Sequence, residues 1–122
     1  MTLAKIDHII FKSAGYIAIT RGIKTQEFPD HLNCRFGKWY LNAGMEKFSK
    51  IPSFNNINAH HKNVHDNVLK ALECLKNGTC AKVSDQVLVS FGDVERESAK
   101  LFELLDETMD AIVKNSQNTA GK

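Results

Sequence analysis

Apolar positions recur at helical spacing along most of the chain, and no strand pattern of any strength appears. Over roughly the first 23 residues, Ile6, Ile10 and Ile17 share one stripe, with Leu3 a turn earlier. At about 100° per residue, His8, Phe11, Gly15 and Ala18 form a second stripe roughly opposite the first. A helix that is apolar on most of its surface is buried on most of its surface. The pattern therefore predicts either a central helix within one chain or a helix shared with a dimer mate, and does not choose between them.

Residues 24 to 33 are polar, contain Pro29-Asp30 and read as a loop. A short helix is predicted around residues 35 to 42, with a turn at Gly44. Met45 to Phe54 reads as a connector whose Phe48 and Phe54 plug into the core. A long helix is predicted from Pro52, with Ser53 as an early cap residue. Ile57, His61, Val64, Val68, Ala71 and Leu75 repeat at 4-3-4-3-4 spacing, which is a bundle seam. Asn77-Gly78 stops this helix, with Gly78 suited to the left-handed C-terminal position. Ser84 is the expected cap of a last helix whose buried face carries Val87, Phe91, Val94, Leu101, Leu105 and Ile112. Gly92 is a point where it could loosen, and from Asn115 the chain should fray. The sum is an all-α bundle of three long helices and one or two short ones. It gives one domain over residues 1–114 and a disordered tail over 115–122.

Composition narrows the classes. The chain has 122 residues, 43% hydrophobic and 25% charged, which fits one soluble globular domain. A net charge of +2 is too balanced for a dedicated nucleic-acid binder. No apolar run approaches the roughly 18 to 20 residues of a membrane span, and Asp7 and His8 interrupt any signal-peptide core. Three cysteines, Cys34, Cys74 and Cys80, are an odd set for a disulfide scaffold and predict reduced thiols in a cytosolic compartment. Phosphate-binding glycine loops, nucleophile elbows and catalytic-cysteine signatures are absent from the sequence.

The chemistry centres on His61-Lys62-Asn63-Val64-His65. Histidines four apart project from one helical face and can meet one metal ion. Lys62 stands where a zinc protease has its general base, which argues against a hydrolase. His60 has Val64 at its own i+4 position and so lacks such a partner. The pair could instead be two exposed histidines, although His61 lies on the apolar seam, where an unbonded imidazole is costly. Cys34 is a second candidate. It sits at the mouth of a short helix beside Arg35, and both features favour thiolate, the form that binds zinc. The alternative for a lone cysteine is a small buried hydrophobe, which is also how Cys74 and Cys80 read. A third candidate is either His8, on the Phe11-Gly15-Ala18 face, or His31, which forms an HxxC pair with Cys34. Spacing does not choose between them. Three histidines and one cysteine suit zinc and would crosslink helices far apart in sequence.

Read together, Asp7-His8-Ile9-Ile10-Phe11-Lys12, Cys34-Arg35-Phe36-Gly37-Lys38-Trp39-Tyr40 and His61-Lys62-Asn63-Val64-His65 resemble the chemoreceptor zinc-binding domain family. That family has a His followed by a Phe in its first helix, then Cys-x-Leu/Phe-Gly-x-Trp, then His-xxx-His. The resemblance covers about Ile6 to Leu75, and its motifs occur in order with no departure. It implies that zinc is held by His8, Cys34, His61 and His65, which places His8 ahead of His31. It implies a four-helix bundle with an additional short helix carrying the Cys ligand, commonly a homodimer, in the bacterial cytoplasm. It implies a sensory domain of a chemoreceptor or diguanylate cyclase, or a stand-alone one, with no enzyme activity of its own. The signal would be an oxidant such as hypochlorous acid acting on Cys34. Alternatives are a sensor of zinc availability and a purely structural zinc dimerisation module. No methyl-accepting coiled coil or cyclase sequence accompanies the motifs, so the chain reads as an excised or stand-alone sensor. A di-iron site is not expected, because neither Glu27 nor Glu46 precedes a His by three. Whether Cys74 or Cys80 could resolve an oxidised Cys34 stays open at this stage.

Overall fold

The computed structural model describes residues 2–23 and 27–120, with side chains over 3–23 and 27–114. Every regular element among them is helical. The elements are α1 (Thr2–Arg21), α2 (Arg35–Trp39), a π-helical turn (Tyr40–Gly44), α3 (Met45–Phe48), α4 (Pro52–Asn77) and α5 (Ser84–Ala120). The all-α expectation is met by three long helices and one short composite one. The middle of the expected loop, residues 24 to 26, lies outside the described residues.

Helix α4 forms where the 4-3-4-3-4 seam lies, and all six seam residues are buried. Pro52 occupies its first turn, where the missing N–H is harmless. Ile51 rather than Ser53 precedes the helix; the Ser53 hydroxyl instead bonds Thr108 Oγ1 on α5 at 3.0 Å. Gly78 ends α4 with φ +66, a conformation that costs glycine little. α5 then returns antiparallel to α4. Val87 packs near Cys74 at one end and Thr108 meets Ser53 at the other, with His60 and Glu97 paired between them. α5 continues without interruption past Gly92 and through Ala120, so residues 115–120, expected as tail, are helical, and 121–122 lie outside the described residues.

Helix α1 lies along this hairpin, parallel to α4. Phe11 stacks on His65, and Val68 Cγ1 lies where a Cβ on Gly15 would come within 2.8 Å. The stripe of His8, Gly15 and Ala18 is buried, so the small residues permit the close approach to α4. The opposite stripe is not buried: Ile6, Ile10 and Ile17 are 47%, 61% and 45% exposed. The central-helix expectation for a single chain is thus corrected, because α1 packs on one side only.

The short helices cover the other end of the hairpin. No turn occurs at Gly44, and Met45–Phe48 is helical rather than a connector. The reason is packing. A Cβ on Gly44 would stand about 3.0 to 3.1 Å from the Trp39 and Phe54 rings, so glycine here admits the rings and does not bend the chain. The π turn directs both Trp39 and Tyr40 at Phe54, and the Tyr40 hydroxyl donates to the Phe54 carbonyl at 2.6 Å. Besides a small cluster of Ala71, Cys74 and Val87 near the α4–α5 turn, two apolar clusters result. One joins α1, α4 and α5 through Ala18, Val64, Val68 and Val94; the other joins the short helices to the hairpin through Tyr40, Phe54, Ile57, Leu101 and Leu105. His61 falls between Ile57 and Val64, at the junction of the two clusters.

Cys74 and Cys80 form a disulfide, which corrects the expectation of reduced thiols. The αL turn at Gly78 folds the chain back so that Thr79 N–H donates to the Cys74 carbonyl, and the two Cα atoms lie 4.7 Å apart. Their pairing leaves Cys34 as the free cysteine.

Candidate metal centre

Three groups on two elements converge between these two clusters. α4 presents His61 and His65 from adjacent turns of its buried face, their rings 4.7 Å apart at centroid. The third group arrives on the loop before α2. The Asp30 carboxylate there accepts from the backbone N–H groups of Leu32 and Asn33, both at 3.0 Å, and its carbonyl accepts from Cys34 N–H at 3.2 Å. This side-chain-held turn places Cys34 just ahead of α2, in extended backbone, where its Sγ accepts from Gly37 N–H at 3.3 Å. Gly37 has to be glycine, since a Cβ there would coincide with the His31 carbonyl oxygen.

The ligand atoms of Cys34, His61 and His65 all lie within 4.8 Å of one another. Cys34 Sγ and His61 Nε2 are 3.3 Å apart. Two donors on one tetrahedral zinc, with bonds of about 2.3 Å to sulfur and about 2.0 Å to nitrogen, stand roughly 3.5 Å apart. The donor types and the Cys34–His61 separation therefore fit zinc. His65 is held from behind: its Nδ1–H donates to the Pro29 carbonyl at 2.9 Å, which fixes the tautomer and leaves Nε2 free to ligate. Phe11 stacks on one face of the His65 ring at 4.1 Å, and Phe36 meets His61 edge-on at 4.9 Å.

Burial sets the electrostatics. It lowers the pKa of His61 to about 3, with the neighbouring imidazoles of His65, His31 and His8 adding to the effect. Burial also lowers His65, and lowers His8 to about 4. All three are neutral near neutral pH, as a metal requires. Cys34 departs from expectation. Burial raises its thiol pKa and outweighs the lowering by the backbone N–H groups of Gly37, Phe36 and Cys34, with the negative Asp7 adding a smaller push upward. Arg35 does not supply the expected cation effect, because its guanidinium is engaged by Asp7, Nε donating to Oδ2 at 2.8 Å. Without metal, Cys34 is a thiol.

His8 lines the same cavity of about 430 Å3 as Cys34, His61 and His65. It stands outside the three-residue group, with Nε2 hydrogen-bonded to Ser98 Oγ on α5 at 2.7 Å and its ring edge-on to Phe102. His31 contributes its backbone and approaches His61 ring to ring at 6.0 Å. His60 turns away to Glu97. Ser98 was not singled out from sequence, although the signal was present. Val94, Leu101, Leu105 and Ile112 leave gaps in a 4-3-4-3-4 seam at positions 98 and 108, and both Ser98 and Thr108 are buried.

Comparison with curated proteins and with solved structures returns no match. A family profile described as the chemoreceptor zinc-binding domain matches residues 8–72, more than half of the chain and a span that includes every candidate ligand above. On that match, supported by a cysteine and two histidines gathered as a metal site requires, the chain belongs to the chemoreceptor zinc-binding domain family.

Proposed function

We propose that this chain is a zinc-binding sensory domain that responds to oxidants through Cys34, with His8, Cys34, His61 and His65 as the zinc ligands. The observation that carries this reading is the position of Cys34. It is the free thiol of the chain, at the rim of the cavity and half-buried, 3.3 Å from His61 Nε2. Bound zinc would hold this sulfur as thiolate. A thiolate attacks the chlorine of hypochlorous acid, releasing hydroxide and forming a sulfenyl chloride; water then replaces chloride, giving sulfenic acid, chloride and a proton. Sulfur loses two electrons and chlorine gains them. Sulfenic acid is a poorer ligand, so Cys34 and α2 are freed from the histidines and can shift. Because Cys74 and Cys80 are bonded to each other, neither offers a thiol to resolve the product.

A second reading, a sensor of zinc availability, is favoured by one observation. Three donors are gathered while His8 stands on Ser98, so metal capture itself would move a ligand. In either case we take the domain to work as a cytoplasmic homodimer, as its family resemblance implies, in a four-helix bundle arrangement, coupled to the output domain of a chemoreceptor or diguanylate cyclase. The exposed Ile6-Ile10-Ile17 stripe supplies an apolar face for the second copy. No helix of the described residues is long and apolar enough to cross a membrane.

The test is elemental analysis for metal content, with circular dichroism for conformation, of wild type and Cys34→Ser, purified without added metal, before and after hypochlorous acid. One zinc per wild-type chain, with an oxidant-induced conformational change that Cys34→Ser lacks, supports the oxidant reading. Bound zinc with an inert thiol overturns the oxidant reading and leaves a zinc sensor or a structural zinc site. If no zinc is present and none is taken up, both fall.

A further inference from the structure

His8 is tied to α5 and not to the three gathered donors. Its Nε2 is 2.7 Å from Ser98 Oγ, and both residues are buried. That nitrogen is closed to a metal whichever way the hydrogen bond runs. If it accepts the hydroxyl proton, its lone pair is used; if it donates, it carries a proton. The ring also packs edge-on against Phe102, one turn further along α5. Neither ring nitrogen of His8 joins the three gathered donors, and for Nε2 to reach a metal held by Cys34, His61 and His65 the ring must leave Ser98.

We propose that Ser98 competes with the metal for His8, so that metal loading unlatches α1 from α5. The proposal rests on the reading of His8 as the fourth zinc ligand. Beside the apolar contacts of Ala18 with Val94 and Tyr16 with Phe91, the other side-chain hydrogen bonds between these helices among the described residues are Lys5 to Asp106, and Lys12 and Tyr16 to Glu95, each ending on an exposed carboxylate. The His8–Ser98 bond is the buried one, and it is the one that metal occupancy removes. A serine hydroxyl in a helix has an alternative partner in the carbonyl four residues back, here that of Val94, so Ser98 is not stranded when His8 departs. Because binding equilibria are reciprocal, whatever strengthens the latch weakens metal binding, and metal weakens the latch by the same factor. Ser98 is thus a positioning residue that couples occupancy of the site to α5, the longest helix of the chain.

The experiment measures Zn2+ affinity of the full chain by competition with a chromophoric chelator, for wild type, Ser98→Ala and Ser98→Thr, each also in a His8→Ala background. With the hydroxyl gone, His8 is released to the metal, and Ser98→Ala should bind Zn2+ roughly 2- to 10-fold more tightly, the span of one competing hydrogen bond. Ser98→Thr should return to the wild-type affinity, and the gain should vanish without His8. Weaker or unchanged binding in Ser98→Ala overturns the competition. A wild type that takes up no Zn2+ overturns the ligand reading along with it, so the two failures are told apart. A measurement on wild type alone guards against a variant that fails to fold. The 15N resonance of His8 Nε2 should leave its hydrogen-bonded position when Zn2+ is added. A His8 Nε2 resonance that stays in place while His65 responds overturns the proposal.

Discussion

Asp7 and Arg35 clasp each other across the edge of the metal centre, the guanidinium Nε donating to the carboxylate Oδ2 at 2.8 Å. Each is adjacent in sequence to a candidate ligand, Asp7 to His8 and Arg35 to Cys34. The clasp joins α1 to the start of α2, and it engages the cation next in sequence to the thiol. Replacing Asp7 by Asn removes a negative charge that raises the Cys34 pKa and releases Arg35 to lower it. The metal-free Asp7→Asn protein should therefore alkylate at Cys34 faster than wild type at mildly alkaline pH, with the midpoint of its rate profile shifted down. Stability should change little, because Arg35 is largely exposed and surface ion pairs contribute little. An unshifted profile would show that burial alone governs the thiol.

The buried histidines give the metal-free protein a direction in pH. His8 and His61 titrate near 4 and 3 when folded, against an ordinary value of 6.5. The unfolded chain binds more protons than the folded one between those values, so stability rises with pH there. It should be complete above about pH 6.5 and fall progressively as pH drops toward 4 and 3. Urea denaturation of the metal-free protein at stepped pH checks this. A midpoint that is flat from neutrality down to mildly acid pH would mean the rings are solvated.

Two glycines predict opposite outcomes. At Gly37 a Cβ would coincide with the His31 carbonyl oxygen. Gly37→Ala must displace either the Asp30 turn or α2, carrying Cys34 away from His61. It should cost about 1–3 kcal/mol, as overpacking does, and weaken Zn2+ binding about 10- to 100-fold, as loss of a group that orients a ligand does. At Gly92 a Cβ would meet only the Arg96 guanidinium, at 3.6 Å. Gly92→Ala should stabilise the chain by about 0.5–1 kcal/mol through helix propensity, leaving Zn2+ binding unchanged. Chemical denaturation and chelator competition on both variants separate the two effects.

The one-sided packing of α1 can be tested through its free stripe. Ile10 and Ile17 are 61% and 45% exposed, so Ile10→Lys with Ile17→Lys should leave the helical content intact. If this face receives a second copy, sedimentation should show the wild type as a dimer and the double variant as a monomer. A wild type that is monomeric at every concentration, or a variant that still dimerises, would remove α1 from the interface.

Much of this architecture was legible in one dimension because its causes are local. The α4 seam is a repeat of apolar side chains at successive turns, and it starts at a proline and stops at Gly78, where backbone conformation alone decides. The His61-His65 pair could be read for the same reason, since residues four apart share a helical face wherever the helix lies. The ordered Cys34 and His8 motifs then pointed to the family. What tertiary structure decided is of another kind. Gly44 looked like a turn because glycine bends chains, yet it serves to admit Trp39 and Phe54, which only packing reveals. Cys74 and Cys80 are six apart, a spacing that carries no signal until the αL turn brings them together. The electrostatic sign at Cys34 runs against the reading from Arg35 because burial, which only packing sets, raises the thiol pKa, and because Arg35 is engaged by Asp7, 28 residues away. Ser98 was hidden as a polar gap in an apolar seam, and its meaning depends on His8 standing opposite, 90 residues distant. Local periodicity, caps and motif order lie along the chain itself. The partner that a buried polar group finds depends on which helices meet, and that is settled only when the hairpin of α4 and α5 receives α1.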